Sequence, residues 1–235
     1  MQKHLSIKNS FSRKAHTYQG NSSIQALIAS RLLEYLDLNY IETLIDIGCG
    51  GGNLALQIQK AQIFVKDFIG IDISAQMLSQ HPKKIQHIDN ISLICDDFEK
   101  FAFEEYDVGI AASSLQWAKD IESLLENISK SCSKVAFGIH TNQSLSSVHN
   151  FLNTDSPLKS ADFLKECLKK YFIGEMWLEN FEQRFEDRVK FLSYLKSLGL
   201  LGGGVLDYNK AKIFRNEVPY KKVEYEVLMF IGRPL

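Results

Sequence analysis

Asp46-Ile47-Gly48-Cys49-Gly50-Gly51-Gly52 decides the fold. It follows a short β-prone run, Thr43 to Ile47, and precedes a helical pattern carried by Leu54, Leu56 and Ile58. Glycines between a strand and a helix let the backbone turn tightly and approach a ligand without a Cβ clash. The N–H groups at the start of the helix favour an anionic group. A structural turn explains the glycines equally well. The spacing is G-x-G-x-G after an acid, which differs from the dinucleotide fingerprint G-x-G-x-x-G.

Outward from that loop, strands and helices alternate. Phe68 to Ile73 is a second strand, followed by a helix from about Ser74; Ile91 to Cys95 is a third, ending at Asp96-Asp97. Tyr106 to Ala112 is a fourth, then comes a helix over 121–129, and a fifth strand runs from Lys134 to His140. Upstream, Ile24, Leu27, Ile28, Leu32, Leu33 and Leu36 recur at three and four, the period of an amphipathic helix. This rhythm predicts βαβ units and an α/β, Rossmann-like, mainly parallel sheet with helices on both faces. Beyond His140 the pattern predicts helices over 158–171 and 185–198, with one strand near 174–181. Gly202-Gly203-Gly204 marks a turn, and a late strand over 221–231 adds antiparallel to the sheet.

Two further acids fall at successive strand ends. Asp72, 24 residues after Gly48, can accept hydrogen bonds from ribose hydroxyls or serve a helix N-terminus. Asp96 and Asp97 can accept an adenine amino group or form a surface turn. Together with the glycine loop, three neighbouring strand tips describe one adenosine-shaped crevice.

Composition bounds the alternatives. The 235 residues, 45% hydrophobic and 23% charged, suit one large domain with a packed core. A net charge of −1 gives no general drive toward nucleic acid. No apolar run approaches the ~20 residues that span a bilayer, and the polar start has no signal-like core. Cys49, Cys95, Cys132 and Cys167 are too scattered for zinc or a disulfide framework. The expectation is a soluble, cytoplasmic protein with no metal and no membrane partner, its oligomeric state open.

This constellation resembles the class I S-adenosylmethionine-dependent methyltransferases over about residues 24–140. The resemblance implies S-adenosylmethionine as cofactor. Asp46, Gly48 and Gly50 would lie in the loop at its methionine part, Asp72 at the ribose, Asp96 and Asp97 at adenine, and Phe98 beside the ring. Ala111-Ala112 would face the methionine end. Gly51 stands where Thr or Ser is more usual.

A narrower likeness is to the biotin-synthesis malonyl-acyl-carrier-protein O-methyltransferases, the BioC type. It rests on the opening Phe11-Ser12-Arg13-Lys14-Ala15-His16-Thr17-Tyr18, on Gln25 and on Leu115-Gln116-Trp117. It also rests on Phe191 to Gly199 and on Val223 to Val227. Lys14 replaces a usual small residue. The likeness implies a single domain with an N-terminal lid over 1–20 and a cofactor core over 21–140. A substrate cap over 141–215 and a closing strand over 216–235 complete it. Tyr18 would be the lid aromatic over a sulfonium, and Gln116 and Trp117 would shape the acyl pocket, although Trp117 also suits plain core. The implied substrate is the free carboxylate of malonyl-loaded acyl-carrier protein. Other small-molecule methyl acceptors, or a non-catalytic cofactor-binding module, share the same cofactor loops. Ala111-Ala112-Ser113-Ser114 stands where amine-methylating enzymes carry an N-P-P-Y-like tetrapeptide, which argues against RNA methylation.

No general base is needed to methylate a carboxylate. A cationic clamp is sought in Arg184, Arg188 and Lys196, the alternative being a solvated helix face. His140 and His149 suit acid–base work less well than a hydrogen-bonded structural role. An acidic carrier calls for a basic patch, with Lys159, Lys165, Lys169, Lys170 and Arg188 as its candidates.

Overall fold

The computed structural model describes residues 23–198 and 208–235. Tyr18, the opening segment 11–18 and Gly202-Gly203-Gly204 lie outside them.

Seven strands form one sheet: β1 (Tyr40–Ile47), β2 (Phe64–Asp72), β3 (Ile88–Cys95), β4 (Tyr106–Ala112), β5 (Cys132–His140), β6 (Phe172–Arg184) and β7 (Lys222–Pro234). Their spatial order is β3-β2-β1-β4-β5-β7-β6. The first five are parallel, with β1 between β2 and β4. β7 enters antiparallel between β5 and β6, as expected for the late strand. The chain leaves β1 in one direction and returns beside it as β4, so a topological switch point opens at the carboxyl ends of these two strands, where ligands bind in such sheets.

Helices cover both faces. On one, α1 (Ser23–Leu36) and α2 (Asn53–Ala61) pack over a core of Ile28, Leu32, Leu44, Ile58 and Phe68. On the other, α4 (Ile121–Ser131) and α6 (Ala161–Lys169) cover Ile45, Ile47, Leu125, Phe137 and Leu168. Leu44 and Ile45 therefore serve opposite faces, as strand alternation requires. Leu27, counted in the apolar stripe of α1, is half exposed. Lys134 Nζ donates to the Leu36 carbonyl at 3.0 Å, satisfying an orphan group at the end of α1.

The expected helix after Ser74 is a single turn, α3 (Ala75–Leu78), with the Ser74 hydroxyl accepting from the Met77 N–H. The helix expected over 158–171 is shorter because Ser160 caps it, accepting from the Phe163 N–H at 3.3 Å. The strand near 174–181 grows to thirteen residues, and α7 (Arg188–Leu198) follows. The segment 141–215 thus supplies an edge strand as well as helices. Two short helices escaped the periodicity, α5 (Ser146–Leu152) and α8 (Tyr208–Glu217). The first is Ser-Ser-Val-His-Asn-Phe-Leu, too polar and too short to show a helical stripe. No helix among the described residues is long and apolar enough to cross a membrane.

Candidate functional site

The glycine loop is held open by its backbone. Gly48, Gly50 and Gly52 have φ of 80°, 53° and 87°, a region that L side chains enter only at a cost. A Cβ on Gly48 would stand 2.3 Å from the Ser114 Cβ, so Gly48 also permits the β4 tip to approach. Ser114 Oγ donates to the Ile47 carbonyl and ties the two tips together. The N–H groups of Gly48 and Cys49 both reach the Ile71 carbonyl, at 2.8 and 3.0 Å, which fastens the loop to β2.

Asp72 completes that fastening. Its Oδ2 accepts from the Gly50 N–H at 3.0 Å and its Oδ1 from the Ser74 N–H at 2.8 Å. Burial pushes its carboxyl up, and these two bonds act in the opposite sense. The second strand tip therefore organises the first. Of the two roles open to Asp72, the structure shows the bracing of a helix start. Ser74, not Asp72, is the cap itself.

A small cleft opens above Gly48, Gly50 and Gly51. Gln25 from α1, Asp46 from the tip of β1 and Ser113 from the tip of β4 line it. Asp46 is buried, and burial together with the nearby Asp72 carboxylate pushes its carboxyl well above the usual range. The oxygens Asp46 Oδ2, Gln25 Oε1 and Ser113 Oγ are buried without a hydrogen-bond partner, as is Gln116 Oε1. Buried polar atoms are ordinarily satisfied. Here a group of acceptors meets at one cleft, a donor set suited to a cation with N–H bonds. No Lys or Arg among the described residues lines it.

At the third tip, Asp96 is exposed and accepts from the Asp97 N–H at 2.7 Å, while Asp97 Oδ1 accepts from the Glu99 N–H at 3.1 Å. The Asp96 N–H donates to the Asp72 carbonyl at 3.2 Å, joining the second and third tips. Phe98 is half-buried against the core beneath. Ala111 is fully buried between β1 and β5, and Ala112 lines the cleft in its place.

After β4, Leu115–Trp117 makes one tight helical turn. Gln116 Nε2 donates to the Ser113 carbonyl at 2.8 Å, and its Oε1 is buried without a partner. Trp117 is half-buried against the core on the α1 face. Two contributors were not singled out from the sequence as cleft residues, Ser113 and Ser114. Their signal is a small polar pair directly after a strand, with Ser113 at φ 80°.

The cationic candidates do not converge on this cleft. Arg184 is exposed and pairs with Glu182 at 3.5 Å. Arg188 Nη1 donates to the Val218 carbonyl at 2.8 Å, and its guanidinium lies over Tyr220. Lys196 is exposed on α7. His140 is fully buried at the tip of β5, packed on Tyr225, and burial lowers its pKa to about 4. His149 Nδ1 lies 3.2 Å from Thr154 Oγ1. Both histidines take the structural role. All four cysteines are free thiols, and burial pushes Cys49 well up, which makes a nucleophilic role unfavourable. No group of three or more metal-binding side chains occurs among the described residues.

Residues 44–134 match a family model described as a methyltransferase domain. Among curated proteins, the malonyl-[acyl-carrier protein] O-methyltransferase of Priestia megaterium is 30% identical over 129 residues, 53% of this chain and 46% of that one. The Bacillus cereus protein of the same name is 29% identical over 128 residues, 52% and 46%. The chain thus spans about half the length of these two relatives. Malonyl-[acyl-carrier protein] O-methyltransferase 2 of Ilyobacter polytropus is 26% identical over 207 residues, 82% of this chain and 79% of that one. Among solved structures, the YcgJ protein from Bacillus subtilis aligns with a TM-score of 0.62 at 12% identity, over 87% of this chain and 97% of that one. The magnesium protoporphyrin IX methyltransferase of Synechocystis, solved with bound SAM, aligns at 0.52 and 12%, over 95% and 84%. The chain has the Rossmann-like class I methyltransferase fold, and in sequence it resembles the malonyl-acyl-carrier-protein enzymes.

Proposed function

We propose that this chain, with its class I methyltransferase fold, moves a methyl group from S-adenosylmethionine to the free carboxylate of malonyl-acyl-carrier protein. One observation carries the cofactor half of the reading: three unpartnered oxygens, Asp46 Oδ2, Gln25 Oε1 and Ser113 Oγ, meet beside a glycine loop held at positive φ. That set fits the ammonium of an amino acid, and the Asp72 tip beside it fits ribose hydroxyls. Asp46, Gln25 and Ser113 would hold the amino-acid end, the loop Gly48 to Gly50 its backbone side, and Asp72 the ribose. Asp96, Asp97 and Phe98 would flank the base, and Tyr18 would close over the sulfur. The likeness to enzymes named for malonyl-acyl-carrier protein supports the acceptor.

When bound, the cofactor supplies a methyl on a positively charged sulfur. The chain then has little acid–base work to do. A carboxylate with an ordinary pKa near ~4 is already ionised at neutral pH. The task is to hold the carboxylate oxygen in line with the methyl carbon and sulfur, and orientation of that kind is worth roughly 7–11 kcal/mol. The bound cofactor would supply the methyl carbon to the carboxylate oxygen, its sulfur keeping the electron pair of the bond that breaks. Excluding water strengthens the attraction between the two charges. Residues 1–20 and the cap within 141–215 are assigned that role, with Gln116 and Trp117 at the acyl chain.

The test is direct. Purified protein, isotopically labelled cofactor and malonyl-loaded carrier are incubated, and the carrier is read by mass spectrometry. A labelled methyl ester on the malonyl group is expected. Transfer to other free acids or amines without transfer to any malonyl thioester would overturn the acceptor. Tight cofactor binding without any transfer would make the chain a binding module.

A further inference from the structure

Residues 184–222 hold nine basic and four acidic residues, a net of +5, which leaves −6 for the rest of a chain whose total is −1. The structure brings the described ends of this stretch to one corner. β6 and β5 both run antiparallel to β7, so β6 ends at Arg184, on the same sheet edge as the tips of β1 to β5. β7 begins there at Lys222, and α8 packs on α5, which follows the tip of β5.

A groove of about 330 Å³ lies at this corner, floored by Val218, Pro219 and Tyr220. Arg188 and Lys221 both stand over the Tyr220 ring, 4.7 and 5.0 Å from its centroid. Arg188 is held by the carbonyls of Val218 and Arg215 and makes no ion pair among the described residues. Lys212 and Arg215 on α8 are exposed, as are the apolar Ile213 and Val189. Among the described residues neither Lys212, Arg215 nor Lys221 is in an ion pair, whereas Lys222 pairs with Glu182. Glu217 and Glu224 also line the groove, but Glu224 turns inward to Ser146 and Ser147.

The lysines of α6 are arranged differently. Lys165 faces Asp162 at 3.9 Å, Lys169 pairs with Glu166 at 2.8 Å, and Lys170 pairs with Glu122 at 2.7 Å. α6 leads away from the strand tips toward the opposite edge, where the Tyr171 carbonyl meets the Leu235 N–H. These three lysines are paired, Lys159 lies over the Phe163 ring at 5.3 Å, and the segment leads away from the cleft.

We infer that the α8–β7 corner is the docking surface for the acidic carrier protein that delivers the acyl thioester. This rests on the proposed function and says where its partner sits. Uncancelled cations ringing an apolar floor suit an acidic amphipathic helix: the charges steer and orient it, and the groove takes an apolar side chain. The corner shares an edge with the cofactor cleft, as delivery of a tethered substrate requires.

The experiment compares Lys212→Glu with Lys221→Glu combined, against Lys165→Glu with Lys169→Glu combined. Carrier binding is read by fluorescence anisotropy, and methyl transfer is read on both malonyl-loaded carrier and a malonyl thioester of a short neutral thiol. The corner variant should weaken carrier binding and raise its KM by ~10-fold or more, leaving the short thioester within about 2-fold. The α6 variant should change neither. Unchanged carrier affinity in the corner variant overturns the inference, and so does an equal loss in the α6 variant. Binding of a short RNA that the corner variant abolishes, with carrier binding intact, would make the corner a nucleic-acid surface and overturn it as well. If neither thioester is methylated, the proposed function fails, and anisotropy alone still judges the docking surface.

Discussion

At the tips of β1, β2 and β4 the chain presents backbone. Three glycines sit at positive φ, N–H groups converge on the Ile71 carbonyl and Asp72, and the chemistry comes from a few short side chains set among them. At the tips of β5, β6 and β7 it presents large side chains instead. His140 packs on Tyr225, the Tyr225 hydroxyl donates to Tyr194 at 2.8 Å, and Phe191 and Leu195 fill the space around them. In the first half close backbone approach leaves little freedom. The second half is a packed cap over an antiparallel ladder, where side-chain size sets the shape. The match to the methyltransferase domain family stops at residue 134, before all but the start of the second half. The lesson is that backbone geometry shapes the first half and side-chain packing the second.

The comparison breaks most sharply at glycine. Gly48→Ala would place a Cβ 2.3 Å from Ser114 at a φ of 80°. Backbone strain and overpacking together should cost about 3 kcal/mol, and any folded fraction should lose cofactor binding by calorimetry. Gly174→Ala would meet the Ile231 carbonyl at 2.2 Å in the β6–β7 ladder. It should destabilise comparably, yet the folded fraction should bind cofactor normally. Equal loss of binding in both would erase the distinction between the halves.

Acid should expose the buried histidine of the second half. His140 has a folded pKa of about 4 against 6.5 in the open chain. The unfolded state therefore takes up the proton first. Stability is fully present above pH 6.5 and falls as pH drops toward 4, by about 3 kcal/mol. Urea titrations across that window should show this loss, and His140→Phe should flatten it.

The carboxylate of the first half runs the other way. Asp46 has a raised folded pKa, so its ionised form costs stability at high pH and the cost fades as pH falls through that pKa. Asp46→Asn should raise the melting temperature of the cofactor-free protein above neutrality while weakening the cofactor by ~10-fold or more. A variant that melts lower and binds unchanged would remove Asp46 from the cleft chemistry.

Smaller effects sharpen the comparison further. Asp72→Asn keeps an acceptor for one of the Gly50 and Ser74 N–H groups and turns an N–H donor on the other. Cofactor affinity should fall by about 1.5–3 kcal/mol, read by calorimetry. Tyr194→Phe removes one hydroxyl pairing in the cap and should cost ~1 kcal/mol of stability without touching cofactor affinity.

Much of this was legible along the chain. Alternation of apolar runs marked all five parallel strands and the late antiparallel one. Acids and glycines at successive strand ends marked the three tips, because such residues are chosen by local backbone demands that neighbouring residues reveal. α5 was not legible, being too short and polar to carry a period. Nor was Ser113 as a cleft residue, since its place depends on β4 lying beside β1. The partners of Lys165, Lys169 and Lys170 were not legible either, because a lysine in sequence does not disclose its ion pair. Local order, strand ends and the glycine loop follow from each residue's own conformational and burial preferences, so the sequence alone determined them. Which side chains meet across the cleft, which charges cancel, and which corner stays positive depend on contacts between residues far apart in the chain. Only the tertiary structure decided those, because a charge or an orphan oxygen acquires its meaning from the neighbours that folding brings to it.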